Sequence, residues 1–153
     1  MDFEEFQEAL ERVENQQAEQ NHPEGVQVFD FWRATDSDIQ RAESELGVAL
    51  PTKYKEFMLR YGGGQFLFLD ILPVVSPDGR SEDLIEVNQD GFREFGFIAV
   101  SPVGTGDWWG FSLDASICRE QVEFRGHEDG GTERAADDFL EFLVKNGLQP
   151  GAD

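Results

Sequence analysis

The sequence predicts an α+β fold, a single domain in which an antiparallel or mixed sheet of about four to six strands has helices packed against it. Three observations carry this reading. Apolar residues recur at helical spacing near both ends, at Phe3, Phe6, Leu10 and Val13 and again at Ala136, Phe139, Leu140 and Leu143. Between those ends lie short apolar runs punctuated by Gly, Pro and Asp, which is how strands and their turns read. The order of helices and strands does not alternate strictly, so a parallel α/β sheet is disfavoured. The 153 residues fit one domain, and a chain of this size buries about 70% of its unfolded surface. A 39% hydrophobic content with 14 phenylalanines supplies the core.

The first segment sets Glu4, Glu8 and Glu11 opposite its apolar face, and so forms an amphipathic helix. Residues 15–25 are polar and read as a loop, with Phe29, Phe31 and Trp32 packing it down. Ile39, Ala42 and Leu46 define a second helix, with Thr35 or Ser37 as N-cap and Gln40 in capping-box relation to Ser37. Gly47 stops it. Pro51 suits the first position of a third helix carrying Tyr54, Phe57, Met58 and Tyr61, and Gly62, Gly63 and Gly64 end that one. Residues 65–75 are strand-like, closed by Pro73 and Pro77-Asp78-Gly79, and Asp90-Gly91 marks a turn. Residues 97–103 and 108–113 read as a hairpin joined through 104–107, and 122–124 as a short strand. After a turn at 126–131, Thr132 reads as the N-cap of the last helix, with Glu133, Asp137 and Glu141 on its outer face and Asn146-Gly147 at its end.

Charge narrows the partners. Thirty-two acidic residues against 12 basic ones give a formal net charge of −20. Nucleic acid and anionic membrane are poor partners, because phosphate binding needs lysine and arginine to release counterions. A basic partner is favoured. The bland alternative is a surface that serves solubility alone. The single cysteine, Cys118, excludes an intrachain disulfide and a multi-cysteine metal site, which fits a reducing compartment. The opening MDFEEFQEAL has no signal-peptide pattern and no run approaches a membrane span, so the expected location is the cytoplasm.

Motifs for catalysis are sparse. The triple glycine follows a helix and precedes a strand, whereas a phosphate cradle precedes a helix. His127 and His22 are the only histidines and show no metal-ligand spacing, so no metal and no cofactor are expected. Cys118 with His127 lacks any nucleophile signature, and Cys118 reads as a core residue. Glu43, beside the apolar stripe, reads as a structural acid bonded to backbone or to a tyrosine. No catalytic residue is assigned. Loop acids beside aromatics are the better site candidates: Asp78, Glu82 and Asp83; Asp107 with Trp108 and Trp109; Glu128 and Asp129. Strand alternation sends Trp108 and Trp109 to opposite faces. Either one ring is buried and the other presented for binding, or a helix layer and a loop bury both.

The pattern Ile39, Glu43, Leu46-Gly47, Leu50-Pro51, Tyr54, Phe57, Tyr61-Gly62-Gly63 resembles the signature of the SUKH superfamily, bacterial immunity proteins and a fungal cell-wall regulator. The likeness covers roughly residues 35–145. It implies a short helix around Leu84 and Val87 and a SUKH-like domain over 35–147; the amphipathic helix and loop over 1–34 lie outside the resemblance and are read as packed on that domain, with a short tail over 148–153. It also implies a non-enzymatic immunity protein that neutralises a basic toxin domain, often a nuclease, with a regulatory protein-binding scaffold of the fungal type as the alternative. The motif residues would then hold the scaffold while loops and sheet surface carry specificity.

Overall fold

The computed structural model describes residues 1–19, 29–66, 69–79, 82–89, 91–104, 106–128 and 131–148. Helix α1 (Phe3–Glu19) buries Phe6, Ala9, Leu10 and Val13, the face that the apolar spacing marks. It runs past the apolar stripe, so residues 15–19 are helical where a loop was expected; the rest of that loop, 20–25, lies outside the described residues. The FDFW segment forms strand β1 (Phe29–Trp32). Helix α2 (Asp36–Leu46) starts at a capping box in which Thr35 and Asp38 bond each other's backbone N–H groups. Thr35 is therefore the cap, and Asp38, not Gln40, completes the box. Helix α3 (Thr52–Arg60) begins one residue after Pro51, which occupies the extended N-cap position rather than the first helical one.

Residues 65–75 are not one strand. They contribute to the hairpin of β2 (Gly63–Phe66) and β3 (Leu69–Ile71), and β1 pairs on the other side of β2. Helix α4 (Leu84–Gln89) matches the implied short helix and leads through a 3-10 turn (Phe92–Phe95) into β4 (Phe97–Pro102). Strand β5 (Trp108–Asp114) closes the expected hairpin with β4. Beside it lie the short β6 (Ile117–Cys118) and β7 (Val122–Arg125).

The last helix is the clearest departure. Thr132–Ala136 is strand β8, paired antiparallel with β7. Helix α5 (Phe139–Phe142) starts only at Asp138, whose carboxylate caps it by accepting the Glu141 N–H at 2.9 Å, and it continues as π-helical turns through Leu143–Leu148. The outer edge of β7 needs partners for its N–H and C=O groups, and that requirement outweighs the mild helical preference of Glu133-Arg134-Ala135-Ala136. Of the three acids assigned to the outer face of this helix, only Glu141 is helical.

Among the described residues the strands make a three-stranded sheet, β1-β2-β3, and a five-stranded one in which β4-β5-β7-β8 run in order and β6 pairs with β5. Every pairing between these strands is antiparallel, and Ala49 bridges Ile117 of β6 in parallel. The sheets meet where the Leu72 N–H donates to Val100 O at 3.0 Å and the Ser101 hydroxyl to Asp70 O at 2.6 Å. Val100 is skipped in the β4–β5 register, a bulge that leaves its carbonyl for this junction.

Helices α1, α3 and α5 build an aromatic core with the sheet. Tyr54 meets Phe139 at 5.0 Å and Phe111 at 5.5 Å, and Phe57 meets Phe139 at 5.4 Å and Phe6 at 5.9 Å, all edge-on. Such pairs add about 1 kcal/mol each beyond area burial. On the other side, the fully buried Asn88 of α4 sends its amide nitrogen to Ala99 O at 2.9 Å and to Leu84 O at 2.8 Å, while its amide oxygen accepts the Ala99 N–H at 2.8 Å.

Three outcomes follow from these contacts. Asn88→Ala leaves both backbone groups of Ala99 unpaired and should lower unfolding free energy by about 2–4 kcal/mol in urea titrations. Tyr54 is the opposite case: among the described residues its buried hydroxyl has no hydrogen-bond partner, so Tyr54→Phe should raise stability by about 1 kcal/mol. Asp138 lies partly out of water, which alone would raise its pKa, yet bonds from the Met1 amino group, the Glu141 N–H and Lys53 hold the carboxyl below its usual value. A lowered folded pKa contributes stability above the unfolded value of about 3.9, and the contribution fades as pH falls through the folded one. The stability gap between the native chain and Asp138→Asn should accordingly narrow below about pH 4.

Candidate functional site

The motif residues assemble the frame. Ile39, Leu46, Leu50, Pro51, Tyr54 and Phe57 are buried, and Tyr61 stacks on Phe57 at 5.2 Å. Glu43 accepts the Leu50 N–H at 2.9 Å and the Lys55 ammonium at 3.4 Å, tying α2 to the start of α3. Gly47 caps α2 in the left-handed conformation at φ 67°, and a Cβ there would stand 2.8 Å from the guanidinium of Arg93, which bonds Leu46 O. Gly62 has φ 101° and no room either, since a Cβ would come within 2.0 Å of Trp32 O. These glycines bring the 3-10 turn and β1 against the motif helices.

Trp108 and Trp109 point to opposite faces of β5, as alternation requires, and both are half-buried. Trp109 packs on Phe142 at 5.3 Å and Phe124 at 6.2 Å, on the helix side. Trp108 packs on Phe92 at 5.5 Å and lines a cleft of about 310 Å³ with Phe92, Phe95, Arg125 and His127. Asp107 is turned toward His127, accepting its main-chain N–H at 2.8 Å and pairing with its Nδ1 at 2.6 Å. The described residues lining this cleft carry two basic side chains and no carboxylate.

The remaining acids divide. Asp83 accepts the N–H groups of Ser76 at 2.9 Å and Glu86 at 2.8 Å and so caps α4, while Asp78 accepts the Ser76 hydroxyl at 3.1 Å. Glu128 is exposed in the turn after β7, and Asp129 lies outside the described residues. Glu82 lines a second groove of about 340 Å³ together with Trp32, Gln65, Asp70 and Pro73. Trp32 is 43% exposed there, and Asp70 and Glu82 are exposed beside it. The sequence places Trp32 among the residues that pack the first loop down, whereas its ring is exposed, and it does not single out Asp70. Asp70 was findable, because it alternates between the buried Leu69 and Ile71 and so must face solvent. Phe92, Phe95 and Arg125 were missed as well, and they come together only through the 3-10 turn.

Cys118 is buried, and burial, with the charges of Glu43 and Glu120, pushes its thiol up to about 12, away from the thiolate that attacks. Among the described residues no group of three or more His, Cys, Asp and Glu side chains is placed to hold a metal, and no helix is long and apolar enough to cross a membrane. The arrangement presents surfaces for binding. Comparison with protein families matches residues 36–143 to SUKH_6, described as SMI1-KNR4 cell-wall. No curated protein matches the chain significantly.

Proposed function

The chain belongs to the SUKH superfamily, and from that premise we propose that it is an immunity protein that binds a basic toxin domain and blocks it by covering its working surface. The observation that carries this reading is the net charge of −20 on a chain whose exposed Trp32 sits in a groove beside Asp70 and Glu82. Tryptophan is enriched where binding energy concentrates. A nuclease toxin suits such a groove, because an enzyme that holds phosphates must itself carry lysine and arginine. Complementary fields speed the encounter to about 10⁸–10⁹ M⁻¹s⁻¹ at low salt. Inhibition is then occlusion, with no reaction performed by this chain.

The family description names the cell wall, which favours a second reading, a regulatory scaffold that binds signalling or cell-wall components. The partner decides between them. Tagged protein captured from its native cells at low and moderate salt should retain a basic, toxin-like protein whose toxicity the chain suppresses, with capture weakening as salt rises. Recovery of a regulatory complex in its place would promote the scaffold. Trp32→Ala should weaken capture of the toxin by roughly 30-fold. Reversing Asp70 and Glu82 to lysine should weaken capture chiefly by faster dissociation and slow association only modestly, because most of the net charge of −20 remains.

A further inference from the structure

The Trp108 cleft shares no lining residue with the Trp32 groove, and its chemistry is opposite. Arg125 lies over the Phe95 ring at 5.3 Å and the Phe97 ring at 5.6 Å. Among the described residues no carboxylate stands within ion-pair distance of it, although the chain has 32 acids to draw on. Arg41, Lys53, Lys55, Arg60, Arg134 and Lys145 each pair with one, whereas among the described residues Arg12, Arg33, Arg93 and Arg119 do not, Arg33 and Arg93 bonding the carbonyls of Leu59 and Leu46. Arg125 instead keeps its planar fork beside a wall of rings, with Phe95 68% exposed and Trp108 and Phe92 in edge contact at 5.5 Å. His127, held by Asp107 through both backbone and ring, adds a second nitrogen-bearing side chain to the lining.

We propose that this cleft binds a small, planar, singly charged carboxylate of the aromatic-acid class, its ring against Trp108 and Phe95 and its carboxylate on Arg125. Three properties select that ligand. A volume of about 310 Å³ is at the lower end of small-molecule sites, so a one- or two-ring molecule fills it. The guanidinium offers paired N–H donors that match a carboxylate in plane, and the aromatic wall binds a flat apolar body. The net charge of −20 sets the upper limit on ligand charge: a polyanion is repelled by the whole chain, while a single carboxylate loses little and is screened within about 8–10 Å at ordinary salt.

The test is an NMR titration of the full chain with indole-3-acetate, its uncharged amide indole-3-acetamide, and ATP as the polyanion. Indole-3-acetate should move the Trp108 indole N–H and the Gly106 and Gly126 amides saturably, with a Kd of about 1 mM or tighter, as expected for a ligand of this size. The amide should bind at least fivefold more weakly, and ATP weaker still. Arg125→Gln should abolish the preference for the acid over the amide, and Phe95→Ala, at an exposed position, should weaken both. No saturable shift up to about 10 mM, equal affinity for acid and amide, tighter binding of ATP, or an unchanged preference in Arg125→Gln would each overturn the assignment.

Discussion

The side-chain amide of Asn88 is the contact on which most of the architecture turns. A strand inside a sheet has both edges satisfied by other strands, but at Ala99 the outer edge of β4 is satisfied by one buried side chain on α4. An amide supplies a donor and an acceptor at the separation a strand would, so a short helix is docked where a strand would otherwise be required. Because the Phe92–Phe95 turn follows α4 directly, that bond also sets where Phe92 and Phe95 stand. One residue further on, the bulge at Val100 turns its carbonyl to Leu72 and joins the two sheets. Helix docking, sheet junction and aromatic cleft thus depend on two consecutive residues of β4.

The motif helices reach the same region from the other side. Arg93 bonds the Leu46 carbonyl, one of the orphan acceptors at the end of α2, and the absence of a side chain at Gly47 gives it room. Gly62 makes the equivalent allowance for the backbone of Trp32. A motif that reads in sequence as two capped helices and a turn is therefore also a set of docking points for distant segments. That explains why its spacing is tight and why most of its residues are buried.

What was legible in the sequence follows from how local each cause is. Helices α1, α2 and α3 are written in apolar spacing and caps, and the β4–β5 hairpin in two apolar runs with a Gly-rich connection. Those causes act within a few residues. Strand β8 was misread because nothing local distinguishes Thr132–Ala136 from the first turn of a helix; its state is set by the unfilled edge of β7. The same holds for the sites. Trp108 could be singled out, because alternation forces adjacent tryptophans apart. Its cleft could not, because Phe92, Phe95 and Arg125 meet through tertiary packing, and Asp107, read as the acid of that site, is instead turned onto His127.

The two surfaces then divide one charge distribution. A net charge of −20 acts at long range and is indifferent to detail, so it draws a basic macromolecule toward the chain from any direction. Contact is decided at short range, where Trp32 with Asp70 and Glu82 offers an apolar anchor ringed by acid, and Arg125 with Trp108 offers an apolar anchor beside a cation. A basic protein of the proposed kind would meet attraction at the first surface and local repulsion at the second. On the two proposals, a basic protein at the first surface and a small carboxylate at the second would not compete, since among the described residues the two linings share no side chain.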